Sequence, residues 1–174
     1  MGLLSTLALA SSILNCESMG RSPSSSIVEV VRCYDGDTCT LSTKEKIRLA
    51  GIDAPEKKGT LGGKGQPRAQ EAKVALSDQV VGKKINLIRH GTDRYGRTVG
   101  EFCQGSKSIN VGLVEQGFAR VYRGKESSKT IDHAIFNAAE VSAQKEKLGI
   151  WSKEYSSDEN QDPALYRKKL KNKS

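Results

Sequence analysis

In the first third of the chain, apolar and polar residues alternate in short runs with a period of two, the mark of strands with one face in a core. The run SIVEVVRCY at 26–34 is rich in β-branched residues, Asp35-Gly36 supplies a turn, and TCTL at 38–41 resumes in extended form. Ser42-Thr43-Lys44 marks a second turn, after which Ile47, Leu49 and Gly51 alternate with Arg48, Ala50 and Ile52 as a third strand. Asp53-Ala54-Pro55 ends this meander. The segment KKGTLGGKG at 57–65, with four glycines and three lysines and no apolar period, reads as a mobile basic loop.

Beyond it the period lengthens. Pro67 opens RAQEAKVALSDQVV, where Ala69, Ala72, Ala75 or Leu76, and Val80 recur at helical spacing before Gly82 caps the end. Residues 84–89 and 98–103 predict strands four and five, joined by a polar turn that contains Thr92-Asp93-Arg94-Tyr95-Gly96-Arg97. A short helix over 109–116 ends at Gly117. A longer one follows within 131–148, with Ile131, Ala134, Ile135, Ala138, Val141 and Leu148 on one stripe. The predicted order is β-β-β-α-β-β-α-α. From residue 153 the chain is polar, with Arg167, Lys168, Lys169, Lys171 and Lys173 near its end, and is expected to be a flexible basic tail.

The composition adds scale and a partner. The 174 residues are 36% hydrophobic, enough for one modest core and not for two large domains. A net charge of +8 points to a polyanion, since each Lys or Arg set against a phosphate releases a condensed counterion. Nucleic acid and an anionic membrane both answer that description, and many exported basic proteins bind neither. Residues 3–14, LLSTLALASSIL, are too short to span a bilayer but fit a signal-peptide core. With the Ser-rich stretch that follows, residues 1–25 read as a leader and linker, 26–152 as the folded domain and 153–174 as the tail. ILNC at 13–16 resembles a lipoprotein box in which Cys16 would carry a lipid anchor, so a secreted or cell-envelope location is expected. The four cysteines show no CxxC spacing and have only His90 and His133 to supplement them, which argues against a structural zinc. With Cys16 cleaved off or lipidated, Cys33, Cys39 and Cys103 remain either as one disulfide and a thiol or as three buried thiols.

Chemistry gathers around the first meander. Asp37 shares strand parity with Cys39 and Leu41, and Asp53 with Ile47, Leu49 and Gly51, so both carboxylates end apolar faces at the rim of a core. Carboxylates there are costly unless compensated, and a hard divalent cation does so directly. Asp-Gly-Asp-Thr is also a good hairpin turn without any metal. Arg48 stands mid-strand, five residues before Asp53 and eight before Glu56, and Arg97 adds a second guanidinium from the turn before strand five. Two planar five-donor groups suit a phosphodiester, although each would serve equally in an ion pair with a neighbouring carboxylate.

The stretches VVRCYDGDTCTL, IRLAGIDAPE, DRYGRTVGEF, INVGLVEQGFARVY and KEKLGIW resemble staphylococcal nuclease in order and spacing over roughly 26–152. That resemblance implies an α+β fold, mainly β barrel: a five-stranded OB-fold barrel with three helices. It also implies a Ca2+ cofactor and a monomeric nuclease that hydrolyses DNA and RNA to leave 3′-phosphates. By position, Asp37, Asp53 and the carbonyl of Ala54 resemble the calcium ligands, Arg48 and Arg97 the phosphate-gripping pair, and Glu56 the residue that orients or deprotonates water. Arg94 and Tyr95 match positions near the terminal phosphate of bound nucleotide. Ala54 stands where Thr is common, and Arg123-Gly124-Lys125 follow Tyr122 where the staphylococcal enzyme has tyrosines packing the base. The rival reading is a catalytically silent OB module that binds nucleic acid without cutting it.

Overall fold

The computed structural model describes residue 16 and residues 25–124, 130–155, 157 and 161–172. Five strands close a barrel: β1 (Ser25–Cys33), β2 (Thr38–Leu41), β3 (Lys46–Leu49), β5 (Lys84–Thr92) and β6 (Thr98–Gln104). They run in the order β3-β2-β1-β5-β6 through antiparallel pairs, and a parallel β3–β6 pairing, Ile47 opposite Thr98 to Leu49 opposite Gly100, joins the ends. This closure removes the free edges that an open meander would expose. The class is the α+β OB-fold expected. The short β7 (Lys107–Ser108) pairs antiparallel with the end of β6, and β4 (Ile52–Asp53) pairs with β8 (Arg120–Val121) in a separate two-stranded sheet.

Sequence chemistry explains how the third strand ends. It was expected to run on through Ile52, but it stops at Leu49 because Gly51 takes φ +77°, which favours glycine. A Cβ at Gly51 would also sit 2.7 Å from Ile131 Cδ1 and 2.9 Å from Phe136 Cε1. The chain therefore turns a corner there, and Asp53 reaches its buried place from a separate two-residue strand rather than by the parity of β3.

Helix α1 (Ala69–Val80) buries Ala69, Ala72, Leu76 and Val80, the face its spacing predicts. Helix α2 (Ile109–Glu115) starts at Ser108, whose side chain accepts from Val111 N. Asn110, fully buried, accepts from Phe102 N at 3.1 Å and donates to Ala50 O at 2.9 Å and Gly100 O at 3.2 Å, stitching the β3–β6 seam to α2. Helix α3 (His133–Lys145) is turned from the expected stripe: it buries Phe136, Ala139, Glu140 and Ala143, while Ala134, Ala138 and Val141 are exposed. The reason is Glu140. Its carboxylate accepts from Val121 N at 2.8 Å and pairs with Arg123, so a charged residue occupies the centre of the inward face.

Two findings revise the ends of the chain. The expected basic tail carries a fourth helix among the described residues, α4 (Pro163–Lys171), with Pro163 and Tyr166 buried. Asp162 caps it by accepting from Ala164 N and Leu165 N, and Pro163 suits the first turn, a start signal hidden in a strongly charged stretch. Cysteines pair as Cys16–Cys103 and Cys33–Cys39, leaving none free among the described residues. Neither arrangement expected for the cysteines includes Cys16 in a bridge. A disulfide sulfur cannot also carry a thioether lipid, so this pairing corrects the lipid anchor expected at Cys16. The rest of the expected leader, up to residue 24, lies outside the described residues.

Candidate active site

A cleft of about 570 Å3 opens at the barrel rim where β3 ends, the β1–β2 turn closes and the β5–β6 turn projects. Its lining unites Asp37, Arg48, Asp53, Glu56, Arg94, Tyr95 and Arg97, which stand far apart in sequence. Asp37 and Asp53 are 7% and 4% exposed, so both carboxylates are drawn into low dielectric.

Arg48 ties them together. One guanidinium nitrogen stands 3.3 Å from Asp37 Oδ2 and donates to Leu49 O at 3.0 Å, and the other donates to Asp53 Oδ1 at 3.0 Å. Burial opposes charge on Arg48, but Asp37 and Asp53 outweigh it and hold the guanidinium more firmly protonated than usual. Asp37 Oδ2 also accepts from Ala54 N at 2.8 Å, and Oδ1 accepts from Thr38 Oγ1 at 3.1 Å. The Asp-Gly-Asp-Thr turn is thus both a hairpin turn and a carboxylate mount, held at its base by the Cys33–Cys39 bridge. Burial lifts Asp53 above the ordinary carboxylate range in spite of its guanidinium partners. Asp35, which the sequence reading passed over as a turn residue, lines the same cleft, and burial and then the Asp37 charge push it up to about 7.

Glu56 begins the Gly-rich loop and is positioned by Gln66, whose Oε1 accepts from Glu56 N at 2.9 Å while Gln66 N donates to Glu56 O at 2.8 Å. Across the cleft, Asp93 organises the β5–β6 turn. It accepts from the backbone N–H of Tyr95 and Arg97, and its Oδ2 lies 2.7 Å from Arg97 Nε and Nη2. Burial works against the Asp93 charge, yet the Arg97 hydrogen bonds hold its carboxyl below the usual range. Arg97 and Arg94 lie 5.6 and 5.8 Å from the Tyr95 ring centroid, and that ring is 73% exposed at the mouth. Both ion pairs that the sequence allowed for Arg48 and Arg97 are therefore present, without taking either residue out of the cleft.

Tyr122 lies at the back of the cleft with Arg48 5.8 Å from its ring centroid, while Arg123 turns away to Glu140 and Val121 O. Lys125 lies outside the described residues. Arg167, expected only as a charge of the flexible tail, reaches the cleft floor. From α4 it donates to Asp53 Oδ2 at 2.8 Å and Oδ1 at 3.2 Å and pairs with Glu56, with Lys168 and Lys171 lining the same wall. Its signal was present only as a capped start, Asp162-Pro163, ahead of a basic run.

The donor set has the chemistry of a hard-cation site: Asp35, Asp37, Asp53 and Glu56 face Arg48 and Arg167, four carboxylates against two guanidiniums. Yet among the described residues no three such side chains converge in metal-holding geometry, and guanidinium nitrogens lie on both Asp53 oxygens. The residues fit a divalent cation in kind, with Arg167 at present paired to Asp53.

Residues 46–153 match the family described as Staphylococcal nuclease homologue. The chain is 36% identical over 155 residues to a Haemophilus influenzae protein named "Uncharacterized endonuclease", covering 86% of this chain and 78% of that one. It is 32% identical over 157 residues to the "Micrococcal nuclease" of Shigella flexneri, covering 83% and 82%. To "Probable endonuclease LCL3" of Nakaseomyces delphensis it is 30% identical over 129 residues, covering 71% of this chain and 48% of that one. The chain belongs to the staphylococcal nuclease homologue family.

Proposed function

We propose that this protein is an exported, calcium-dependent nuclease that hydrolyses phosphodiester bonds of DNA and RNA with little sequence specificity and leaves 3′-phosphates. The observation that carries this reading is the joining of Asp37, Asp53 and Glu56 to Arg48 at the floor of a cleft whose walls bear Arg94, Arg97, Lys168 and Lys171. The basic walls suit the phosphate backbone, which is common to all sequences and to both nucleic acids. Arg48 and Arg97 would grip the scissile phosphate and stabilise the charge that builds on it, in a fork geometry that lysine lacks. Glu56 would orient or deprotonate the attacking water. Asp37, Asp53 and the Ala54 carbonyl would hold the calcium ion, which when bound supplies further positive charge to the phosphate oxygens. Arg94 and Tyr95, exposed at the mouth, would meet the neighbouring phosphate and sugar of a single or locally opened strand. Two disulfides suit an oxidising compartment, which supports export. The chain would act as a monomer, since every residue invoked comes from one copy.

The pairing of Arg167 with Asp53 and Glu56 favours one other reading, a silent module that binds strands through the same basic walls. Purified protein incubated with plasmid, single-stranded DNA and RNA, in calcium or in chelator, separates the two. The nuclease reading expects calcium-dependent cleavage of all three, with DNA products whose 3′ ends a polymerase cannot extend until a phosphatase removes the 3′-phosphate. Strand binding without cleavage at any calcium concentration would establish the silent module instead.

A further inference from the structure

Helix α4 is docked by specific contacts rather than laid loosely on the surface. Asp162 at its start pairs with Arg120 at 2.8 Å. Tyr166 is buried, and its hydroxyl oxygen accepts from Gly65 N at 2.8 Å. Tyr166 and Leu170 close over Gly63 in the Gly-rich loop, where an added Cβ would lie 2.5 Å from Tyr166 Oη and 2.6 Å from Leu170 Cδ1. These contacts aim Arg167 at the cleft floor. Its two guanidinium nitrogens span both oxygens of Asp53 and reach Glu56.

A divalent ion would compete with Arg167 for those oxygens, of which Oδ1 already accepts from Arg48 as well. A guanidinium and a divalent ion within hydrogen-bonding distance of one carboxylate repel each other, and every Asp53 lone pair given to Arg167 is withheld from a metal. We propose that α4 is an intrachain latch: Arg167 holds Asp53 and Glu56 in a resting state, and a divalent cation opens the site by displacing it. The proposal rests on the reading of Asp53 as a cation ligand. By linkage, the latch scales the cation's apparent affinity by the fraction of time it stands open, and the cation shifts α4 toward release by the reciprocal factor. Charge-assisted hydrogen bonds of this kind close a latch on the order of ten to a hundred times more often than it stands open. Once released, Arg167, Lys168 and Lys171 remain beside the cleft, on the wall that a phosphate backbone would follow.

The test is calorimetric titration of the full chain with calcium chloride alone, comparing wild type with Arg167→Gln, Gly63→Val and Asp53→Asn. Gly63 has an ordinary φ of −77°, so valine there strains no left-handed turn and acts by evicting Tyr166 and Leu170. The latch predicts that Arg167→Gln binds calcium on the order of tenfold to a hundredfold more tightly than wild type, and that Gly63→Val shifts affinity the same way. It also predicts that calcium speeds amide hydrogen exchange in α4 of the wild-type protein while leaving the barrel protected. If Arg167→Gln does not fold, Gly63→Val and the exchange measurement decide alone. Affinity equal to or weaker than wild type in the folded variants overturns the latch while leaving Asp53 a ligand. Calcium binding that survives Asp53→Asn undiminished overturns the ligand assignment, and the latch with it.

Discussion

Replacing Asn110 by alanine tests how the barrel seam supports the site. The side chain satisfies Phe102 N, Ala50 O and Gly100 O from a position with no solvent contact. Gly100 O keeps a second partner, Ala50 N at 2.7 Å, so the substitution strips partners chiefly from Phe102 N and Ala50 O. A buried backbone group left unsatisfied costs about 1–3 kcal/mol, which places the loss at roughly 2–6 kcal/mol for the two together. For a domain of this size that lowers Tm by roughly 5–15 °C. Chemical denaturation followed by tryptophan fluorescence measures it, with an unchanged slope in denaturant as the check that the unfolded reference is the same. Asn110→Leu should not rescue, since filling the volume restores no hydrogen bond. A loss below about 1 kcal/mol would refute the reasoning, because the seam would then be held without this side chain.

Arg48→Lys should cut turnover about a hundredfold to a thousandfold, since one ammonium cannot replace a fork that spans Asp37, Asp53 and the Leu49 carbonyl; steady-state kinetics on single-stranded DNA checks it. Glu45 accepts from Arg89 and Thr98, and the Arg89 hydrogen bond leads in holding its carboxyl below its ordinary value of 4.5. A depressed folded value means that this stability is present above pH 4.5 and lost as pH falls through the folded value. Glu45→Gln should therefore cost about 1 kcal/mol at pH 7 and progressively less as the pH falls below 4.5, as thermal melts across pH would record. Of the two bridges, Cys16–Cys103 closes a separation of 87 residues and Cys33–Cys39 one of 6, so loop entropy assigns about 4–5 and about 2 kcal/mol respectively. Paired serine substitutions measured by denaturation should preserve that order.

The barrel was legible because its strands are short and bounded by turn residues, and because the apolar alternation of the third is clear: Ile47 and Leu49 point inward in both the pattern and the structure. The residues that line the cleft were legible for a different reason, since Asp37, Asp53 and Arg97 lie at strand ends and turns and Arg48 interrupts an apolar strand, where a charge stands out. What stayed hidden was tertiary. Glu140 broke the stripe of α3 because its burial depends on Arg123 and on a backbone N–H of β8, neither of which is visible in a helical period. Arg167 looked like one more charge in a polar tail, because the carboxylates that hold it lie more than a hundred residues away. A separation of 87 residues likewise concealed the partner of Cys16.

The central claim is that the cluster of Asp53, Glu56 and Arg48 is a hydrolytic centre. Single-turnover cleavage of a labelled oligonucleotide in saturating calcium, by wild type and by Glu56→Gln with matched Tm and matched substrate affinity, tests it most directly. Loss of one catalytic group of this kind lowers the rate about a hundredfold or more, and that fall with binding unchanged is the result predicted. Cleavage by Glu56→Gln at the wild-type rate, or equal rates in calcium and in chelator, would contradict it.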